Sequence, residues 1–320
     1  MNNLIFCLNV TIPIFLLMIL GYLFKSTNVF SEGFVKTANS FVFKIALPTL
    51  VFLDLAKENF YNVWNGKYVL FCFVVTLIYI IISIITAFSF KDKSNAGEFA
   101  QASYRSSAAL LGIGFIQNIY GSSGMAPLMI IGTVPLYNIM AVLILSFLRP
   151  EINSGEKKLD RQIIFSTLID VFKNPIIIGI ALGMVWSLLG LPVPTIMDKT
   201  LSYIGGLSTP LGILAMGAGF EVGKSKAVLP KSFLVCFYKL VLWCAIFLPI
   251  AVKMGFRDSE LIALLVMLGS PSTISCYIMA KNMGHEGSLT TMSVMLTSLL
   301  SAFTLTMWLY LLRCSGLISG

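Results

Sequence analysis

The chain has 320 residues, 57% of them hydrophobic and only 11% charged, with a formal net charge of +8 and a mean hydropathy of +0.90. Soluble domains run near 45–50% apolar and about 25% charged, so a soluble enzyme, a disordered chain and a disulfide scaffold are all excluded, and the chain belongs in lipid. The positive charge carries no basic stripe with interleaved aromatics and does not point to nucleic acid; it fits Lys and Arg gathered in cytoplasmic loops.

Ten apolar runs follow one another, each near the roughly 20 residues that a membrane helix needs. They cover about 4–24, 34–56, 67–90, 97–120 and 125–148, then 174–190, 197–220, 231–253, 259–283 and 288–312. The first lacks a preceding Lys or Arg and is too long for a signal-peptide core, so it reads as a true span. The longest hydrophilic stretch, Arg149 to Lys173, separates two sets of five and holds Glu151, Glu156, Lys157, Lys158, Asp160 and Arg161. With the N-terminus outside, thirteen Lys and Arg fall in cytoplasmic loops and six outside, so both termini are expected outside.

The two sets resemble each other. At an offset of about 162, Pro13 and Gly21 fall on Pro175 and Gly183, and Pro48 falls on Pro210; Gly121 and Gly284 match at 163. Five spans per half invert the second half relative to the first, a device of alternating-access carriers. The expected organisation is therefore a first five-helix repeat over 1–150, a cytoplasmic loop over 151–173, and an inverted second repeat over 174–320.

Polar residues stand at mid-membrane in two corresponding spans. The fourth carries Ser103-Tyr104-Arg105-Ser106-Ser107, with Gly112 and Gly114 beyond, and the ninth carries Gly269-Ser270-Pro271-Ser272-Thr273. Pro271 has no amide and clashes with the carbonyl of Met267, so a broken helix is expected, its freed carbonyls met by the Ser270, Ser272 and Thr273 hydroxyls; the alternative is a simple proline kink. Arg105 costs roughly 2.5–3.5 kcal/mol at the bilayer centre on insertion scales. Its fork matches a carboxylate, so it is an anion ligand or one arm of an ion pair with Asp54, Glu98 or Glu221; snorkelling to the cytoplasmic surface is difficult, since Lys93 lies about 18 Å away at 1.5 Å per residue. Lys44 lies one turn before Pro48 and is a candidate for anion contact, proton coupling or a salt bridge; Lys239 is equally ambiguous. Glu98 and Glu221 are expected to be solvated at span ends.

The remaining features read as structural. The six cysteines lie in or beside apolar runs, contain no C-x-x-C pair, and read as small buried hydrophobes. The single histidine, His285, leaves no material for a His-based metal site or triad. Gly179-x-x-x-Gly183 and Gly219-x-x-x-Gly223 serve internal helix packing as well as a homodimer. Trp64, Trp186, Trp243 and Trp308, with Tyr61, Tyr68 and Tyr310, fit interfacial belts.

The motifs together resemble the auxin efflux carrier family, which includes PIN-type auxin carriers and bacterial malonate- or malate-type permeases, and more distantly the bile-acid sodium symporters. The resemblance runs over the whole chain. It rests on Phe43-Lys44-Ile45-Ala46-Leu47-Pro48-Thr49-Leu50, Ala102-Ser103-Tyr104-Arg105-Ser106, Lys173-Asn174-Pro175, Pro210-Leu211-Gly212-Ile213-Leu214-Ala215-Met216-Gly217, Ser270-Pro271-Ser272 and Leu296-Thr297-Ser298. It implies an all-α membrane protein of ten helices in two inverted five-helix repeats, with broken fourth and ninth helices crossing at the substrate site. It implies a scaffold of helices 1, 2, 6 and 7, and a transport unit of helices 3–5 and 8–10 that moves like an elevator. The bacterial inner membrane is the implied home. The chain departs from the family at Ser107 and Ala108, where members often carry Asn, and this argues against an auxin-like substrate.

The reading is then a secondary transporter of small organic anions, mono- or dicarboxylates such as malonate or malate, and no enzyme. Arg105, Ser106, Ser107, Ser270, Pro271, Ser272 and Thr273 are expected to bind substrate, with Lys44 and Pro48 as further candidates for substrate or coupling. No cofactor or metal is called for; the coupling ion is open between H+ and Na+. The partners are the organic anion and membrane lipid, with a homodimer compatible. The rival readings are an anion or solute channel, and a carrier of a neutral substrate in which Arg105 is structural. An intramembrane protease lacks its Gly-x-Gly-Asp or His-Glu-x-x-His string, and no loop is large enough for a sensor domain.

Overall fold

A computed structural model describes residues 2–57, 65–107, 125–150, 169 and 172–318. Among these residues the chain is helical, without strands. The helices are α1 Asn2–Ser26, α2 Glu32–Phe41, α3 Leu47–Ala56, α4 Gly66–Phe88, α5 Ala96–Tyr104 and α6 Ala126–Phe147. They continue as α7 Pro175–Leu188, α8 Thr195–Gly206, α9 Ser208–Ala218, α10 Val222–Ala227, α11 Leu229–Phe237, α12 Trp243–Lys253, α13 Asp258–Gly269, α14 Ser275–Asn282 and α15 Ser288–Cys314. Six helical stretches are long and apolar enough to cross a membrane, Glu32–Ala56, Gly66–Phe88, Ala126–Phe147, Thr195–Ala218, Leu229–Lys253 and Ser288–Cys314, and two shorter apolar ones are Phe15–Ser26 and Pro175–Leu188. Residues 151–168, 170 and 171 of the expected loop at 151–173 and the second half of the fourth span, with Ala108, Gly112, Gly114 and Gly121, lie outside the described residues, as do Tyr61 and Trp64.

Local chemistry explains the helix boundaries. Ser31 caps α2 by accepting from Phe34 N at 3.1 Å, Asn65 caps α4 at Tyr68 N, and Asn174 caps α7 at Ile176 N just before Pro175. Pro48 supplies no amide to the carbonyl of Lys44, and the chain answers with one π-helical turn, Val42–Ala46, between α2 and α3. A second π-turn, Tyr238–Leu242, joins α11 to α12 and carries Lys239.

Glycines let backbones touch. α1 lies along α9, and α3 along α7 and α8. A Cβ at Gly183 would stand 2.8 Å from the Phe52 carbonyl, and one at Gly179 would stand 2.6 Å from that of Pro48. Gly21 meets the Leu214 carbonyl in the same way. The contacts Gly21–Leu214 and Gly183–Phe52 are carried into one another by the 162-residue offset that relates the Pro and Gly positions of the two halves. Elsewhere α4 packs on α5 and α6, α11 on α15, and α12 on α13.

Several expectations about surface residues are corrected. Trp243 and Tyr68 are fully buried rather than interfacial: Trp243 Nε1 donates to the Ser103 carbonyl at 2.8 Å, and Tyr68 OH to the Glu260 carbonyl. Both polar tips found partners inside the protein, which removes any preference for the headgroup layer. Cys72, Cys236, Cys244 and Cys276 are buried and unbridged as expected, but Cys314 is exposed at the end of α15. Glu98, expected in solvent, is completely buried.

Candidate functional site

α5 ends because Arg105 turns extended, at φ −70°, ψ 124°, and α13 ends because Ser270 does the same at φ −72°, ψ 157°. The two extended segments run antiparallel: Ser106 pairs with Ser272 across the crossing, and Ser107 N donates to the Pro271 carbonyl at 3.0 Å. The ninth span is thus broken, not merely kinked, and α14 restarts it at Ser275. The fourth span leaves its helix at the matching place without a proline, and its residues from 108 on lie outside the described ones.

The carbonyls freed by the break find partners other than those expected. Met267 O accepts from Ser106 Oγ, of the other half of the chain, and from Tyr137 OH at 3.4 Å. Leu268 O accepts from Lys239 Nζ at 3.1 Å. Ser272 N, which would have served Leu268 in an unbroken helix, donates to Thr297 Oγ1 at 3.1 Å. Ser272 Oγ donates to the Ala102 carbonyl, Thr273 Oγ1 pairs with Ser275 Oγ, and Ser270 Oγ is buried with no partner. The neighbouring serines and threonine therefore satisfy neither carbonyl.

Arg105 is 3% exposed. Its Nη2 donates to Asn138 Oδ1 of α6 at 2.7 Å, its Nη1 lies against Met279 Sδ of α14, and its Nε is buried without a partner. No carboxylate among the described residues pairs with it, so the proposed ion pairs are not made: Asp54 is only half-buried on α3, Glu221 is exposed, and Glu98 is bound to the start of α15. Lys239 is 0% exposed, and no carboxylate among the described residues pairs with it. Its ammonium donates to Ser106 Oγ and Leu268 O, one group from each crossing segment. Two buried basic side chains, neither paired with a carboxylate among the described residues, thus stand beside Ser106. In a low-dielectric interior an unpaired charge of this kind is costly, and an anion between the segments would offset that cost.

An aromatic wall encloses the crossing. Tyr79, Tyr238 and Phe247 surround Trp243, with Tyr79 5.5 Å and Tyr238 5.2 Å from it between ring centroids. Thr76, Tyr79 and Tyr137 hydroxyls form a buried chain that ends at Met267 O. Ser107 and Thr273, by contrast, are half-buried and line the less enclosed side.

Of the residues expected at the site, Arg105, Ser106, Ser107, Ser270, Pro271, Ser272 and Thr273 come together. Lys44 and Pro48 do not join them. Lys44 is exposed on a groove with Lys36, Thr37, Ser40, Phe41 and Ile45, and Pro48 packs on Gly179. Asn138 and Met279 were missed; the only signal was an Asn inside an otherwise apolar fifth run.

A family model described as membrane transport protein matches residues 6–309. The chain belongs to this family. It is the grouping of auxin efflux carriers that the motifs resemble, and its members are multi-pass membrane transporters. The chain is similar to the transporter YfdV of Escherichia coli (strain K12), 24% identical over 310 residues covering 94% of this chain and 96% of that one. It is similar as well to a transporter of Methanothermobacter thermautotrophicus, 20% identical over 304 residues covering 93% and 95%. A third relative is the transporter MJ1031 of Methanocaldococcus jannaschii, 20% identical over 318 residues covering 95% and 98%.

Proposed function

We propose that this transporter is a secondary carrier of small organic anions, mono- or dicarboxylates such as malonate or malate, and that the crossing holds the substrate carboxylate. The observation that carries this reading is the buried Arg105, oriented by Asn138, with an unpartnered Nε and no carboxylate partner among the described residues. A guanidinium stays charged and offers a planar fork, which suits a carboxylate better than a neutral solute. The N-terminus of α14, one residue beyond Thr273–Ile274, adds partial positive charge on the same side.

Ten spans in two inverted halves, moving by an elevator step, are the organisation this function calls for. The offset-related glycine contacts support the two-half reading. So does the packing of α1 on α9 and of α3 on α7 and α8, a frame built from spans one, two, six and seven. Few polar ties cross from that frame to the crossing: Tyr277 OH donates to Ala215 O at 3.4 Å, and Asn282 Nδ2 to Asn39 O at 3.2 Å. The bias of cations among loops supports termini outside a bacterial inner membrane, and the site operates in one copy or within a homodimer.

The test is uptake of a labelled panel (malonate, malate, succinate, lactate and indole-acetate) into proteoliposomes, with counterflow and with imposed Na+ or pH gradients. Saturable uptake and counterflow of one carboxylate class support the carrier, and the gradient that drives accumulation names the coupling ion. Non-saturating flux without counterflow replaces the carrier by a channel. Uptake of neutral solutes alone makes Arg105 structural.

A further inference from the structure

We propose that Glu98, two turns from the crossing, is a positioning residue that sets the direction of Arg105; this rests on the carrier reading above. Glu98 is the one fully buried acid among the described residues, at 0% exposure. Both of its oxygens are occupied. One accepts from Gly287 N at 2.9 Å, and the other from Thr290 N at 3.0 Å and Thr290 Oγ1 at 3.1 Å. The residue before α15, Gly287, stands in the left-handed region at φ 81° and has no side chain to cap the helix. Its first amides would be orphaned, and the carboxylate that satisfies them comes from α5, where the helix dipole favours it.

This cap is the far rung of a ladder. Gln101 Nε2 donates to the Cys276 carbonyl at 2.8 Å, the Ala102 carbonyl accepts from Ser272 Oγ at 2.7 Å, and Arg105 reaches Met279. Positions 98, 101, 102 and 105 share one face of a helix, so a single stripe of α5 is bonded along the ninth span and the start of the tenth. α5 has nine residues, too few to hold an orientation alone. Glu98 and Arg105 stand about 10.5 Å apart along its axis, at 1.5 Å per residue. Releasing the Glu98 end lets α5 pivot and swings Arg105 off Asn138. Because its charge is committed to α15, Glu98 also does not compete with cargo for Arg105.

The experiment compares wild type with Glu98→Gln, Glu98→Asp and Thr290→Val in nanodiscs, by hydrogen exchange and by labelled malonate uptake in proteoliposomes. Gln keeps the volume and one acceptor, and Thr290→Val removes a single rung, so at least one variant is expected to fold. Exchange is expected to rise about tenfold in peptides covering 286–291 and also in those covering 102–107. The malonate KM is expected to rise about fivefold with Vmax nearly unchanged, and Glu98→Asp to recover part of both. Faster exchange confined to 286–291, with 102–107 and KM unchanged, overturns the inference and makes Glu98 a local cap. If wild type carries no carboxylate at all, the carrier reading fails, while exchange at 102–107 still decides whether Glu98 reaches the crossing.

Discussion

Ser106 and Ser272 face each other in antiparallel register, one from each half of the chain, just past the ends of α5 and α13. Their hydroxyls point in different directions: Ser106 Oγ donates to Met267 O and accepts from Lys239, while Ser272 Oγ donates to Ala102 O. Each segment therefore terminates the other's helix, and Lys239 fastens both.

Lys239 is accordingly expected to be needed for the integrity of the crossing. Lys239→Met strands Leu268 O, which costs about 1–3 kcal/mol, and takes from Ser106 Oγ one of its two partners, leaving it bonded to Met267 O. Its melting temperature in detergent should fall and malonate uptake should be lost. Lys239→Arg should not restore uptake, because a planar fork replaces a compact ammonium. Full uptake by Lys239→Met would show that the ammonium is dispensable.

Asn138 orients Arg105 without facing the open side of the crossing. Asn138→Ala is expected to raise the malonate KM about five- to tenfold while leaving Vmax within about twofold, as measured by initial uptake rates. A pure Vmax effect would assign Asn138 to the moving step instead.

Gly217 and Gly21 bring α1 and α9 into backbone contact, where any Cβ meets the carbonyl of Met18 or Leu214. Gly217→Ala should destabilise the protein by about 1–3 kcal/mol through overpacking. Gly223→Ala, where a Cβ meets nothing within 4 Å, should be nearly silent. Thermal unfolding of the two variants side by side checks the contrast.

His285, in the connection between α14 and α15, is 4% exposed and its Nε2 bonds to the Leu145 carbonyl at 2.9 Å, while Nδ1 has no partner. Burial is the main cause that holds its pKa below the ordinary value; Arg149 adds to the lowering, and the Leu145 carbonyl and Glu98 oppose it. The unfolded chain then binds the proton more readily, so stability is fully present above about pH 6.5 and declines as pH falls below it, toward the lower folded value. His285→Gln should flatten that part of the melting profile. An unchanged slope would place the acid sensitivity elsewhere.

The sequence made some of this legible and hid the rest for physical reasons. Pro271 announces its break because a missing amide is a local property, and the mid-membrane cost of Arg105 marks the fourth span without a proline. Which groups meet the freed carbonyls was not legible, since Ser106, Tyr137 and Lys239 reach them from three other helices. Glu98 looked solvated because it lies at a span end, and only the uncapped start of α15 explains its burial. Lys44 looked like a site residue because it lies within a span one turn before Pro48, yet its side chain is exposed on the groove with Lys36 and Ser40.

The central claim is that Arg105 receives a carboxylate. The most direct measurement is initial-rate uptake of labelled malonate and malate into proteoliposomes by wild type, Arg105→Ala and Arg105→Lys, with folding checked by melting temperature. The expected result is saturable uptake by wild type, loss of at least about a hundredfold in Vmax/KM for Arg105→Ala, and little rescue by Lys. Normal saturable uptake by a folded Arg105→Ala protein would contradict the account.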